Sequence, residues 1–445
     1  MSFVNEHIED YRLLGYLKKR LKEDQFCYAM KNLHSLAFCS VRTIKAPMHK
    51  PGVYVIANNE TAKIWGVQLC DSPWSCPVCS AKKMSQVATK IAAGIDGLLK
   101  QNKAAFMITF SIPHIRRFTA KQTYDILYET WKRFAHHIGS NQKDTGRDPM
   151  NAFVKEFDCT YRVRVCEWTW GSQGWHPHFH CLFWVDKKRL QEVADWQQRL
   201  SEKWRYLAEK FTVKILERDG FDPANGYTDS KLVGQSVKQW VHDLYERCNS
   251  RRSDPDAYIS VDNAGKVRQA QSSQYICGWG ADKELTGNIR KQASHEGHFT
   301  PMQMLQISFD AYKQRRMTRA DKYLKLFLEY ALATKKKFRT RFSHALSAFI
   351  AKYMSSQKYI ETLKKKATEA KEAVGVWRTV CWFNEQQWYR ICHCDLVVPI
   401  LERARLPDAL QQITALLEQY FIDPIGIDNP PDKQWFEDNL FNAIA

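Results

Sequence analysis

Apolar residues recur at helical spacing over residues 5–23, where Ile8, Tyr11, Leu14, Tyr16, Leu17 and Leu21 fall on one side of a 3.6-residue repeat. The spacing predicts an amphipathic helix that packs against the body of the protein. A second helix is predicted from just after Cys79 to about Lys100. Residues 104–112 are apolar apart from Thr109 and Ser111, and Pro113 ends the run. They read as a buried strand with the two hydroxyls on one face. Helical spacing returns over residues 120–138, burying Tyr124, Leu127, Trp131 and Phe134, and a polar loop covers 140–149. Strands are predicted at 151–159, 161–170 and 178–186, then a long amphipathic helix over 187–211. Between 104 and 211 the order is therefore β, α, β, β, β, α, which implies an antiparallel α+β sandwich rather than a doubly wound parallel sheet.

Further along, composition predicts loops at 217–231 and 249–257 and a short strand at 258–262. Residues 272–286 read as a helix onset interrupted by Gly278 and Gly280. Helical patterns cover 300–334, 344–373, 385–403 and 407–420, ahead of a polar, Pro-rich stretch near 424–432. There is no internal repeat. The 445 residues are enough for two or three domains. The boundaries suggested are an N-terminal helix and metal-binding region over 1–101, an α+β domain over 102–300 and a mostly helical region over 301–445.

Charge narrows the partner. Lys and Arg number 66 against 48 Asp and Glu, a net charge of +18. Such an excess favours a polyanion, nucleic acid first, although an anionic membrane surface would also suit it. The chain also has 15 Trp, and aromatics among basic residues are what stacking on unpaired bases requires. No run is apolar for long enough to span a bilayer. Residues 1–24 are charged and amphipathic, without the apolar centre of a signal peptide. The expectation is a cytoplasmic protein with no membrane partner.

Two clusters carry candidate chemistry. His178 and His180 lie two residues apart on a predicted strand, so they project from one face, with His176 just before them as a further ligand or a turn residue. Only residues 171–176 separate that strand from the one containing Glu167. A hairpin would bring Glu167 beside the imidazoles. Two His and one carboxylate suit Mn²⁺, Mg²⁺ or Zn²⁺ with coordination positions left open. The second cluster is Cys76-Pro-Val-Cys79, a half-site for structural zinc, with Cys70 as third ligand and Cys39 or His34 as fourth. A redox Cys-x-x-Cys would sit at a strand-to-helix turn without further Cys nearby. The 13 Cys of a large chain lacking a secretion signal do not suggest a disulfide framework. Two weaker features are Cys392-His393-Cys394 and the run Lys335, Lys336, Lys337, Arg339, Arg341. That run is either a solvated face or an element that contacts phosphates.

These motifs resemble one family. Trp175-His-Pro-His-Phe-His180 looks like the His-hydrophobic-His motif of the HUH endonucleases, in the form used by rolling-circle replication initiators of plasmids and related replicons. Residues 106–113 resemble the motif that precedes it, and Cys39, Cys70, Cys76 and Cys79 resemble the zinc-binding cysteines many members carry upstream. Gln274-Tyr275-Ile-Cys-Gly-Trp-Gly resembles the motif holding the nucleophilic Tyr. Where many members have Lys three residues after that Tyr, this chain has Gly278, so Lys283 or another cation would take its part. Gln271 stands where some relatives have a Glu that activates water. Tyr16 has Lys19 at the usual spacing, but it precedes the cysteines, the wrong order for the family.

The resemblance implies a ferredoxin/RRM-like sandwich and catalytic Mn²⁺ or Mg²⁺ on His178, His180 and Glu167, beside the structural Zn²⁺. It implies site-specific cleavage of single-stranded origin DNA by Tyr275, leaving a 5′-phosphotyrosine and a free 3′-OH that primes a host polymerase. No Walker A motif is present, so unwinding would fall to a host helicase. The same catalytic domain also serves transposases and mobilisation relaxases. A non-catalytic zinc-dependent DNA-binding regulator is the alternative of another class.

Overall fold

The computed structural model describes residues 6–44, 52–58, 60–136, 138, 148–224, 235–250, 259–262, 297–362, 365 and 377–422. Tyr275 and the whole of 272–286, the end of the loop at 217–231, and the stretch 424–432 lie outside the described residues. The chain divides into two compact units, both discontinuous in sequence: residues 1–86, 305–320 and 355–445 form one, and residues 87–304 and 321–354 the other. The described strands are β1 (Val53–Ala57), β2 (Ala62–Trp65), β3 (Lys103–Phe110), β4 (Arg162–Gly171), β5 (Gly174–Asp186), β6 (Ile259–Asp262), β7 (Thr340–Phe342) and β8 (Arg378–Phe383). They make two antiparallel sheets, ordered β2-β1-β8 and β6-β3-β5-β4-β7.

The first unit holds the three-stranded sheet and the helix Glu6–Leu21, whose Ile8, Leu14, Leu17 and Leu21 are buried as its spacing predicts. Polar groups fix the helix as well: Tyr16 shares a hydrogen bond of 2.7 Å with Ser308, and Arg12 pairs with Glu9 and Glu402. The helix predicted over 385–403 is two helices, Glu385–His393 and Val397–Arg403. Asp395 stands between them at φ +55°, a conformation that cannot continue a right-handed helix. The helical pattern over 300–334 divides in the same way into Pro301–Lys313 and Met317–Ala333, with Arg315 at φ +57° between them.

The second unit is built on the five-stranded sheet, with β5 at its centre. Phe110 of β3 shows why helices lie against it: its ring meets Trp131 and Phe134 of the helix Ala120–Phe134 at 5.3 and 5.5 Å, and Trp204 of the helix Gln197–Arg218 at 4.9 Å. Each such aromatic pair contributes roughly 0.5–1.5 kcal/mol beyond the area it buries. The Trp204 indole N–H also donates to the Ser111 carbonyl at 2.7 Å. Mixed helix and antiparallel sheet is the observed architecture.

Several expected elements differ. Residues 151–159 are not a strand; the helix Pro149–Glu156 stands there. Pro149 is pre-set for a first helical turn, and Met150, Phe153, Val154 and Phe157 repeat at helical spacing and are buried. The segment 104–211 thus reads β, α, α, β, β, α. The His strand begins at Gly174, upstream of Pro177. Proline is tolerated because β3 ends at Phe110, opposite Phe179, so at Pro177 the strand is paired with β4 alone. The helix over 187–211 is a 3-10 segment, Lys187–Trp196, followed by Gln197–Arg218.

Candidate metal centres

The hairpin between β4 and β5 builds the first site. Gly171 pairs with Gly174 across the two residues Ser172 and Gln173. Gly174 sits at φ +89°, where a Cβ would lie 2.8 Å from the Arg116 Cα, so the turn needs glycine. The register set by this turn places Glu167 opposite His178 and Val165 opposite His180, on one face of the sheet. On the other side of β5, Thr109 of β3 stands opposite His180.

The donor atoms converge. Glu167 Oε2 is 3.6 Å from His178 Nε2 and 3.4 Å from His180 Nε2, and the two Nε2 atoms are 3.1 Å apart. A cation about 2.1 Å from each donor would set them about 3.0 Å apart at right angles and about 3.4 Å apart at tetrahedral angles. The three donors therefore fit one small divalent ion, and the group could hold a metal. His180 Nδ1 lies 2.8 Å from the Thr109 hydroxyl, and His178 Nδ1 lies 3.4 Å from the His176 carbonyl. Hydrogen bonds donated from both Nδ1 atoms would leave both Nε2 lone pairs facing Glu167.

Glu167 is 4% exposed and His180 7%. Burial alone would raise the Glu167 carboxyl, but the imidazoles of His178 and His180 beside it outweigh this and hold the group well below the usual carboxylate range. Its Oε1 is buried with no hydrogen-bond partner, as befits an acid awaiting a cation. Burial lowers His178, keeping the imidazole in the neutral form that ligates. His176 is not one of the converging donors: its ring stacks on His114 at 4.5 Å and 12° and lies 5.0 Å from the ring of His178.

The four cysteines Cys39, Cys70, Cys76 and Cys79 form the second group, in the other unit. The Sγ atoms of Cys39–Cys76, Cys39–Cys79 and Cys70–Cys79 are each 3.5 Å apart. A disulfide would need about 2.05 Å, whereas sulfurs around a tetrahedral ion at about 2.3 Å lie about 3.8 Å from one another. The backbone follows the ligands. Cys76 and Cys79 open the helix Pro77–Leu99 with an N–H to sulfur contact of 3.5 Å, and Cys39 and Cys70 are each followed by a residue at positive φ, Ser40 and Asp71. Trp388 Nε1 donates to the Ser40 carbonyl and Lys18 to that of Cys39, tying the Cys39 loop down. His34 is not part of the group; its ring rests on Phe38 at 4.9 Å. Among the described residues Cys392-His393-Cys394 form no third group. Tyr16 is buried against Ser308 and Arg20, so it is not presented to a substrate.

The basic run does not form one surface. Lys335 and Lys336 are exposed, and Lys337 Nζ lies 5.5 Å from the rings of both Tyr124 and Tyr128. Arg339 is 6% exposed, and its carbonyl accepts from the Cys166 N–H at 2.8 Å, extending the β7 ladder. Arg341 is exposed, with its guanidinium 3.5 Å from the ring of Phe338. Sequence reasoning missed the contact of Thr109 with His180, although it placed Thr109 and Ser111 on one strand face. It also missed His114, which carries no pattern of its own.

A family model described as "Replication protein" matches residues 61–211, about a third of the chain. That span contains Cys70, Cys76, Cys79, Glu167, His178 and His180, but not Cys39, Tyr275 or residues 335–341. A "Protein rep" of Streptomyces lividans is 26% identical over 142 residues, covering 28% of this chain and 31% of that protein. A "Neomycin resistance protein" of Streptomyces cyanogenus is 22% identical over 148 residues, covering 29% and 33%. The likeness thus spans about a third of each curated relative. No solved structure matches significantly. No described helix is long and apolar enough to cross a membrane.

Proposed function

We propose that the chain is a plasmid-type replication protein that initiates rolling-circle replication by cutting and rejoining one DNA strand. The likeness to replication proteins over residues 61–211 supports the broader reading. The observation that carries the finer one is the convergence of Glu167, His178 and His180 on one face of the central hairpin. Three protein donors leave the remaining positions of a six-coordinate ion for substrate oxygens. Mn²⁺ or Mg²⁺ bound there would polarise a scissile phosphate and offset its developing charge.

The chain's own groups do the rest. Glu167 stays anionic, and the hydrogen bonds at Thr109 and the His176 carbonyl hold the ring tautomers. Tyr275 supplies the nucleophile. Its phenol oxygen forms a bond to phosphorus and the 3′-oxygen leaves, so the products are a 5′-phosphotyrosine and a 3′-OH. One phosphodiester replaces another, and a later 3′-OH can reverse the step. The phenol has a pKa of ~10, so its proton must pass to a base as the bond forms. The four cysteines hold structural Zn²⁺, host polymerase extends the 3′-OH, and a host helicase opens the duplex. The excess of basic residues and, within the run at 335–341, the exposed Lys335, Lys336 and Arg341 serve the DNA backbone.

The test is a denaturing gel after mixing the protein and Mn²⁺ with single-stranded DNA from its own replicon. A protein–DNA adduct is expected, absent with Tyr275→Phe and with the pair His178→Ala and His180→Ala, whose melting should match the wild type. An adduct that survives the histidine pair refutes the metal site. DNA binding without any cut assigns the chain to zinc-dependent DNA-binding regulators.

A further inference from the structure

On the reverse face of the same hairpin two arginines are held together without counter-charge. Arg164 of β4 and Arg341 of β7 are direct cross-strand partners. Side chains so placed have Cβ atoms roughly 4.5–5.5 Å apart, and like charges there repel. Neither guanidinium has a carboxylate or a hydrogen-bond acceptor among the described residues. Each is instead laid on aromatic rings: Arg164 lies 4.3 Å from Phe179 and 4.9 Å from Trp131, and Arg341 lies 3.5 Å from Phe338. Lys337 adds a third cation over Tyr124 and Tyr128. The carboxylates on that helix are engaged elsewhere, Asp125 by Lys121 and Arg218, and Glu129 by Lys132.

A guanidinium offers five donors in a rigid fork that matches a phosphate. Ring stacking fixes its plane and satisfies none of those donors. Two ring-stacked arginines at paired backbone positions, one half-buried and one exposed, offer donors that one oxyanion could satisfy. The ring of Phe338 is 58% exposed beside them, a flat apolar surface for an unpaired base.

We propose that Arg164 and Arg341 bind a backbone phosphodiester of the single-stranded DNA, with Phe338 beside it. This rests on the reading of the partner as DNA and adds Arg164, which the basic run does not contain. Arg164 and Glu167 are three residues apart in β4, so the phosphate site and the metal donors occupy opposite faces, roughly 10 Å apart along the strand. β7 is an edge strand, so the DNA passes over that edge from one face to the other. Arg164 and Arg341 are positioning residues.

The experiment is fluorescence anisotropy of a single-stranded oligonucleotide on the full chain as a function of salt, comparing wild type with Arg164→Gln, Arg341→Gln and the double variant. Losing the one phosphate contact that the two arginines share should lower the logarithmic salt slope by about 0.7 in the double variant, with binding about fourfold weaker at 0.15 M salt, and each single variant should lose part of that. Inorganic phosphate should raise the melting temperature of the wild type more than that of the double variant. Without phosphate or DNA, Arg341→Gln should melt no lower than the wild type, because it relieves a repulsion. If Arg164→Gln does not fold, Arg341→Gln alone still reads the slope, since its side chain is exposed. A wild type that cuts DNA beside variants with unchanged slopes overturns this site and leaves the nickase standing. A wild type that binds no oligonucleotide overturns both.

Discussion

Thr109→Val tests the metal site through a residue that touches no metal. The hydroxyl lies 2.8 Å from His180 Nδ1, and His180 is 7% exposed, so water cannot readily replace it. With metal on Nε2, the ring proton must sit on Nδ1. Valine keeps the shape and leaves that N–H without an acceptor. In the metal-free protein the ring escapes by moving its proton to Nε2, which faces Glu167 at 3.4 Å. The bound state therefore carries the cost of an unsatisfied buried donor, about 1–3 kcal/mol. At about 1.4 kcal/mol per tenfold, Mn²⁺ affinity should fall roughly 5- to 140-fold. That agrees with the 10- to 100-fold typical of groups that support metal ligands. Isothermal titration of Mn²⁺ into the full chain reads it directly, and Thr109→Ser should restore tight binding. An unchanged Kd in the valine variant, with Mn²⁺ still lost in His180→Ala, would show that Thr109 does not orient the ligand.

Two further outcomes are expected. The wild type should carry one tightly held zinc per chain, and Cys76→Ser should carry less and melt lower; equal zinc content in the two would remove the four-cysteine site. His7 carries a pH signal. Burial, with help from Lys63 and Lys82, depresses it from 6.5 to about 4. Between those values the unfolded chain takes up a proton that the folded chain refuses, so His7 contributes full stability above about pH 6.5 and progressively less down to about 4. The melting temperature of His7→Phe should fall less steeply than that of the wild type over that window; parallel curves would refute the assignment.

What the chain disclosed in advance follows from the range of the interactions. The hairpin holding Glu167, His178 and His180 was legible because its turn is two residues long and its register is local. The four cysteines were legible from ligand chemistry and spacing. β1, β2 and β8 were not: β1 takes β8 as partner more than 300 residues away, and neither strand alone alternates clearly enough to stand out. The helix at 149–156 was mistaken for a strand because Phe153, Val154 and Phe157 favour extended backbone as readily as a buried helix face. The breaks at Arg315 and Asp395 depend on positive φ at residues that carry no glycine signal. Arg164 reads as an ordinary strand residue until β7, contributed from far along the chain, is laid beside it.

The discontinuity of the first unit has a consequence for how the protein is made. Tyr16 waits for Ser308, 292 residues on, and Arg12 for Glu402, 390 residues on. At roughly 5–20 residues per second, a ribosome leaves the helix Glu6–Leu21 without these partners for tens of seconds. The apolar stripe of Ile8, Leu14, Leu17 and Leu21 is open to chaperones or to other nascent chains throughout that interval. The cysteines are the exception, since all four emerge within the first 79 residues. Metal capture there would join Cys39 to Cys70, Cys76 and Cys79 long before the rest of their unit exists, a foothold that does not depend on the segments made later.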